Sequence, residues 1–293
     1  MGKLILEEKF LRELDSLRLL SKKVESGHFQ GERRGSRAGS GLEFIDYQPY
    51  QVGDDYRYID WHLFSRFEQL FIKLFVEEKD LRVHLLIDKS FSMSTGVPSK
   101  IEYAKKLAAA LGYIALVNFD RVGITSFTSC LEESLPPRRG KLQILELFRF
   151  LEKISSRGET NFNFCLNKFA SRERKSGVAI VISDLLDEKG YQEGLLSLRT
   201  RGWEISLIHI LEEREVNPPE EKGVVLVDKE THKRIETEVT PSTIKLYQKA
   251  LEDFFKEIEN FCEYYQIKYL RTLTSLSLSS LIFRNLRRKK VLK

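Results

Sequence analysis

The sequence predicts an α/β protein: an open, mostly parallel sheet with helices on both faces. Two observations predict it. Four predominantly apolar runs, 83–87, 122–127, 178–182 and 203–210, lack the alternation of half-exposed strands and read as strands buried on both faces. Stretches of helical periodicity separate them, as β-α-β units require. A third observation concerns the strand ends. The first run stops at Asp88 and the third is followed by Ser183 and Asp184, which sets two carboxylates on the edge where open sheets bind ligands.

The elements follow in order. Residues 4–24 carry Leu and Ile at amphipathic-helix spacing, and 27–41 are rich in Gly, Arg and Ser, a mobile stretch by composition. After the first strand, Ser99 caps a helix reaching about 118, with Ile101, Ala104, Leu107, Ala108, Leu111 and Ile114 along one face. Further helices are expected at 140–154, 162–170 and 191–200. Residues 223–239 read as a hairpin insertion with its turn near Asp228 to Lys233. Thr240-Pro241-Ser242 opens a helix to about 265, with Ile244, Tyr247, Leu251, Phe254, Phe255, Ile258 and Phe261 at i, i+3, i+4 spacing. A short strand at 267–270 and a closing helix at 275–288 end the fold. The expected organisation is an N-terminal helical and irregular extension (1–75), an α/β domain (76–286) and a basic tail (287–293).

Asp88, Ser90 and Ser92 form an Asp-x-Ser-x-Ser sequence at the end of the first core strand. Asp and Ser after a strand are common as caps and turn formers. Two further segments argue for more: Gly158-Glu159-Thr160-Asn161 puts a hydroxyl in a turn, and Asp184 follows a second core strand. A carboxylate and hydroxyls converging on one edge are hard oxygen donors suited to a small divalent cation.

This constellation resembles the metal-ion-dependent adhesion site of von Willebrand factor A domains, which have a Rossmann-like sheet. The preceding block is similar to that of a bacterial family, domain of unknown function fifty-eight: Gly53-Asp54, Arg57, Ile59-Asp60-Trp61 and Arg66, then Lys73 and the strand leading to Asp88. The similarity spans about 39–283. It implies Mg²⁺, or Mn²⁺ in its place, bound directly by Ser90 and Ser92 and by Thr160 directly or through water. Asp88 and Asp184 would be outer acceptors that orient those ligands. A partner protein's Asp or Glu would complete the coordination. The resemblance further implies a non-enzymatic adaptor working with a MoxR-type AAA+ ATPase in assembly or maturation of other proteins. Asp54, Arg57, Asp60, Trp61 and Arg66 form either a second interaction surface or a structural clasp in which Arg and Asp pair under Trp61. The need of a buried Arg for partners favours the clasp.

Composition narrows the alternatives. The chain has 293 residues, 42% of them hydrophobic, and a net charge of +5. Six basic residues from Arg284 to Lys293 supply much of that charge and read as a solvated tail able at most to touch an anionic membrane surface. Absence of a long apolar run and of a signal-peptide centre predicts a cytoplasmic protein with no transmembrane segment. Cys130, Cys165 and Cys262 are in no paired spacing, so reduced thiols are expected. His84 and His209 fall in core strands and read as structural. A metal-dependent phosphate or acyl hydrolase using Asp88 or Ser90 as nucleophile is the first alternative, but no base is placed beside either, and Lys89 should point away. A nucleic-acid binder using Arg33, Arg34, Arg37 and the tail is the second. Nucleic acid is not the expected partner, because no aromatics interleave with these arginines.

Overall fold

The computed structural model describes residues 6–21, 42–77, 81–219, 221–227 and 234–293. It has two compact units, one of residues 22–80 and one of 1–21 with 81–293. In chain order the elements begin with helix α1 (Glu8–Leu14). Strand β1 (Leu42–Pro49), helix α2 (Trp61–Phe67) and strand β2 (Phe71–Glu77) belong to the smaller unit. There follow β3 (Arg82–Asp88), α3 (Lys100–Val117), β4 (Arg121–Phe127), β5 (Leu131–Arg138), α4 (Lys141–Lys153), α5 (Phe162–Arg172) and β6 (Val178–Ser183). The chain continues with α6 (Gln192–Thr200), β7 (Glu204–Leu211), α7 (Glu213–Val216), β8 (Glu221–Val227), β9 (Arg234–Val239), α8 (Pro241–Tyr264) and β10 (Lys268–Leu273). It closes with a helical turn at Leu278–Ser280 and a π-helical turn at Leu281–Leu286.

The larger unit is built on one sheet of order β10-β7-β6-β3-β4-β5. Every neighbouring pair is parallel except β4–β5. This is the open, mostly parallel sheet expected. From β3 the chain moves to β4 and β5 on one side, then returns to place β6 on the other. The strand order therefore reverses between β3 and β6, where such sheets leave a crevice beyond their carboxyl ends.

Alternation along the strands fills both faces. Val83, Leu85 and Ile87 of β3 pack with Ile180 and Ile182 of β6 against Leu107, Leu111 and Ile114 of α3. Leu86, Val181 and Leu207 face the other way, onto Leu166 and Phe169 of α5, Leu195 of α6 and Ile258 of α8. Burying each such side chain is worth about 1.5–3 kcal/mol. Helices α3 and α4 approach so closely that a Cβ on Gly112 would lie 2.4 Å from Leu147 Cδ2.

Three expectations change. β5 (LEESLPPR) was not predicted, because a half-exposed edge strand with two prolines carries no buried-strand pattern. The tail is not simply solvated: Val291 and Leu292 are buried, Leu19 bridges Leu292, and Arg18 and Lys293 exchange backbone hydrogen bonds at 3.1 and 2.8 Å. Helix α1 and the stretch after it thus belong with the sheet, Leu14 and Leu17 being part of its core. β8 and β9 pair antiparallel as the expected insertion. The turn near Asp228 to Lys233, and Arg33, Arg34 and Arg37, lie outside the described residues.

Candidate functional site

The loop that follows β3 is sewn across the neighbouring strand. Lys89 N–H donates to Phe127 O (3.0 Å), Arg157 N–H to Lys89 O (2.8 Å), and Phe91 N–H to Gly158 O (2.9 Å). Gly158 sits at φ +68°, the left-handed region that favours glycine, and turns the chain so that Thr160 faces the loop. Asn161 N–H donates to Thr128 O at 3.0 Å and caps α5 through its side chain.

Asp88 is the centre of this arrangement and is buried. Its Oδ1 accepts from Ser90 N–H at 3.0 Å, and its Oδ2 accepts from the hydroxyls of Ser183 at 2.7 Å and Thr160 at 3.5 Å. The hydroxyl oxygens of Ser90 and Ser92 lie 3.0 Å apart. Asp184, fully buried at the end of β6, turns Oδ1 to Leu186 N–H at 3.4 Å. Asp88, Ser90, Ser92 and Thr160 thus converge, with Asp184 one residue beyond Ser183 on the adjacent strand. Burial, and then the charge of Asp184, push the Asp88 carboxyl up to about 7.

Two residues of this cluster were missed. The Lys100 ammonium, fully buried, lies 2.7 Å from Asp184 Oδ2 and 2.5 Å from Glu215 Oε1. Burial works to lower the Lys100 pKa, yet the two facing carboxylates outweigh it and hold it above its ordinary value. A signal was present: Lys100 is the first residue of α3, where the helix dipole disfavours a cation, so it needs a carboxylate partner. Glu215 comes from the acidic turn just after β7, on the same sheet edge.

Lys89 points away, as expected. Its buried ammonium meets Glu132 at 2.8 Å and Glu133 at 2.6 Å, and Arg157 pairs with both glutamates. This network holds the back of the loop.

The expected clasp is built differently. Asp60 is buried and caps α2, accepting from His62 N–H at 2.9 Å and Leu63 N–H at 3.3 Å, while its other oxygen meets Lys73 at 2.9 Å and Tyr47 at 3.1 Å. Lys73, opposed by burial and helped by Tyr47, holds the Asp60 carboxyl down to about 2. Arg57 pairs with Asp55 instead, Asp54 caps the Gln51 turn, and Arg66 and Trp61 are exposed. Neither Arg57 nor Arg66 is buried, so the expected Arg–Asp pair under Trp61 is not formed by them. An ammonium and a phenol take its place.

His84 and His209 are structural. Nε2 of His84 lies 2.9 Å from the Thr125 hydroxyl, and Nδ1 of His209 lies 2.8 Å from that of Tyr269. Burial pushes them down to about 3 and about 4. The three cysteines are free; Cys130 is exposed.

The profile of the family described as protein of unknown function DUF58 matches residues 46–253. An uncharacterised protein of Mycobacterium tuberculosis and one of Mycobacterium bovis are each 26% identical over 232 residues, 77% of this chain and 72% of theirs. Among solved structures, BatB from Bacteroides thetaiotaomicron is similar at TM-score 0.45 and 20% identity, covering 71% of this chain and 98% of that one. An aerotolerance-related membrane protein of Bacteroides fragilis gives 0.44 and 18% over 72% and 98%. A von Willebrand factor type A protein of Catenulispora acidiphila gives 0.42 and 12% over 76% and 44%. The fold assignment rests on the strand order above, not on these likenesses.

One expectation is corrected by these relatives. A cytoplasmic location does not stand, since two of the similar structures, from Bacteroides fragilis and Vibrio fischeri, are described as membrane proteins. Among the described residues no helix is long and apolar enough to cross a membrane.

Proposed function

The chain belongs to the DUF58 family of proteins of unknown function, and we propose that its site is a divalent-cation centre through which it binds an acidic side chain of a partner protein. One observation carries the reading: the Ser90 and Ser92 hydroxyls lie 3.0 Å apart beside Asp88 and Thr160, at the reversal of strand order. Oxygens at right angles in the shell of Mg²⁺ lie about 2.9 Å apart when each is about 2.0–2.1 Å from the ion. The hydroxyl pair therefore fits Mg²⁺, or Mn²⁺ in its place.

The carboxylates support outer roles. Asp88 is committed to Ser90 N–H, Ser183 and Thr160, and Asp184 to Lys100 and Leu186 N–H. They orient hydroxyls and accept from bound water, while Ser90, Ser92 and Thr160 supply neutral donors. A cation so held supplies Lewis acidity that neutral donors leave largely undiminished, and a partner's Asp or Glu answers it. A MoxR-type AAA+ ATPase is the partner proposed, on the family resemblance, with the chain as its adaptor.

Hydrolysis is less well supported. Ser90 faces Ser92 rather than a base, and Lys89 is engaged by Glu132 and Glu133.

The test is calorimetric titration of the wild type, Ser90→Ala and Ser92→Ala with Mg²⁺ and Mn²⁺, followed by pull-down of a MoxR-type ATPase with Mg²⁺ or with chelator. Saturable binding by the wild type alone, and capture only with the metal, is expected. Metal binding undiminished in both variants would sink the site, and capture indifferent to chelator would sink the mechanism.

A further inference from the structure

We propose that Lys100 is a resident cation that keeps Asp184 out of the inner coordination of the site and so leaves a position for the partner's carboxylate. The inference rests on the divalent-cation reading above. It begins from how completely Lys100 is held. Its backbone N–H donates to Thr95 O at 2.9 Å, its side chain is fully enclosed, and its ammonium is pinned between Asp184 Oδ2 and Glu215 Oε1. Glu215 is fixed in turn. Its Oε2 accepts from Glu212 N–H at 2.7 Å, and its backbone carbonyl accepts from the Tyr247 hydroxyl at 2.6 Å. The ammonium has no route to water; it fixes the Asp184 carboxylate through Oδ2 at 2.7 Å, while Oδ1 is turned to Leu186 N–H at 3.4 Å.

Charge points the same way. Asp184 and Glu215 face the one ammonium, and a third carboxylate, Asp88, is held on the adjacent strand by Ser183, next to Asp184 in the chain. A divalent cation brings that group to neutrality, and an incoming carboxylate then meets no surplus of negative charge. Without Lys100, Asp184 is free to ligate, the cation is held more tightly, and the partner's carboxylate is repelled. A merely structural lysine predicts the opposite: its loss would loosen the site and weaken the cation.

The experiment is a Mn²⁺ titration read by electron paramagnetic resonance and water-proton relaxation. It uses the full chain as wild type, Lys100→Met, Glu215→Gln and the double variant, in which one positive and one negative charge leave together. Acetate is the carboxylate probe. Lys100→Met should bind Mn²⁺ about tenfold or more tightly, the effect of one unit charge a few ångströms away, and acetate should no longer lower its relaxation enhancement. Glu215→Gln should bind about tenfold more weakly, and the double variant should lie between. Equal or weaker Mn²⁺ binding by a folded Lys100→Met, or, should that variant fail to fold, unchanged affinity in Glu215→Gln, overturns the proposal. Binding by Lys100→Met but not by the wild type supports the role of Lys100 and overturns the cation reading of the resting protein. Binding by neither overturns both.

Discussion

Replacing Asp88 by Asn should make the metal-free protein more stable at neutral pH, although it removes a charged group from a network of hydrogen bonds. Asp88 is 1% exposed and faces no cation directly; Lys100 pairs with Asp184 and Glu215. Its carboxyl is raised from 3.8 to about 7, by burial first and by Asp184 second. A carboxyl whose folded value lies above its unfolded value binds more protons in the folded protein between those two values. Stability from this group is therefore greatest below about pH 4, falls as pH rises through about 7, and is flat beyond. A gap of roughly 3 units, at about 1.4 kcal/mol each, makes the loss on the order of 4 kcal/mol. Asn removes the titration while keeping an oxygen for Ser90 N–H and an amide for the hydroxyls of Ser183 and Thr160. His84 and His209, buried neutral and lowered to about 3 and about 4, act oppositely and destabilise the fold as pH falls below about 6.5. Both proteins share that term, so the informative quantity is the difference between them. Urea unfolding with chelator, at intervals from about pH 4 to about pH 8, should show the variant gaining on the wild type steadily until about pH 7. Parallel profiles would refute the reasoning. Mg²⁺ should then restore the wild type at the alkaline end and leave the variant where it was.

Lys89→Met should cost about 2 kcal/mol in urea unfolding. This is less than for a fully enclosed pair, because Arg157 and Thr128 still serve Glu132. An unchanged midpoint would show that the network does not hold the loop. Asp60→Ala should loosen residues 42–77, seen as faster amide exchange in α2, since it removes two N–H acceptors and the partner of Lys73. Trp61→Ala, at a side chain 63% exposed, should leave that exchange unaltered, and the reverse pattern would restore the expectation of a clasp under Trp61. Deleting the last five residues should lower stability by about 3 kcal/mol or more through loss of the buried Val291 and Leu292. A truncation with no effect on melting would return the tail to the solvated role its composition predicts.

The core strands were legible because β3, β4, β6 and β7 are buried on both faces and so carry predominantly apolar runs. β5 was not, since it is an edge with Pro136 and Pro137. β1 and β2 were missed for another reason: residues 50–70, including α2, separate them, far beyond a hairpin turn that a local signal could mark. The tail misled because its basic residues are conspicuous and its two buried apolar residues are not. At the site, Asp88, Ser90, Ser92, Thr160 and Asp184 could be read from spacing and strand ends. Lys100, a cation at the first residue of α3, signals a need for a carboxylate but not which one, because its pairing with Glu215 joins residues 115 positions apart, which only the sheet order brings to one edge.

The cost of that edge bears on what it does. Lys89, Asp88 and Asp184 at the ends of two central strands, and Lys100 at the start of α3, are all removed from water. An apolar cluster of similar volume there would usually be as stable or more so. Where the ion pairs are complete, as at Lys89 with Glu132 and Glu133, a structural role suffices. At Asp88 it does not: the carboxylate is buried, raised by a second carboxylate, and given only neutral donors. A fold selected for stability alone would place Asn or Ser at that position. On the proposed reading a divalent cation would remove the deficit, and Asp88 stands at the reversal of strand order, where open sheets bind their ligands.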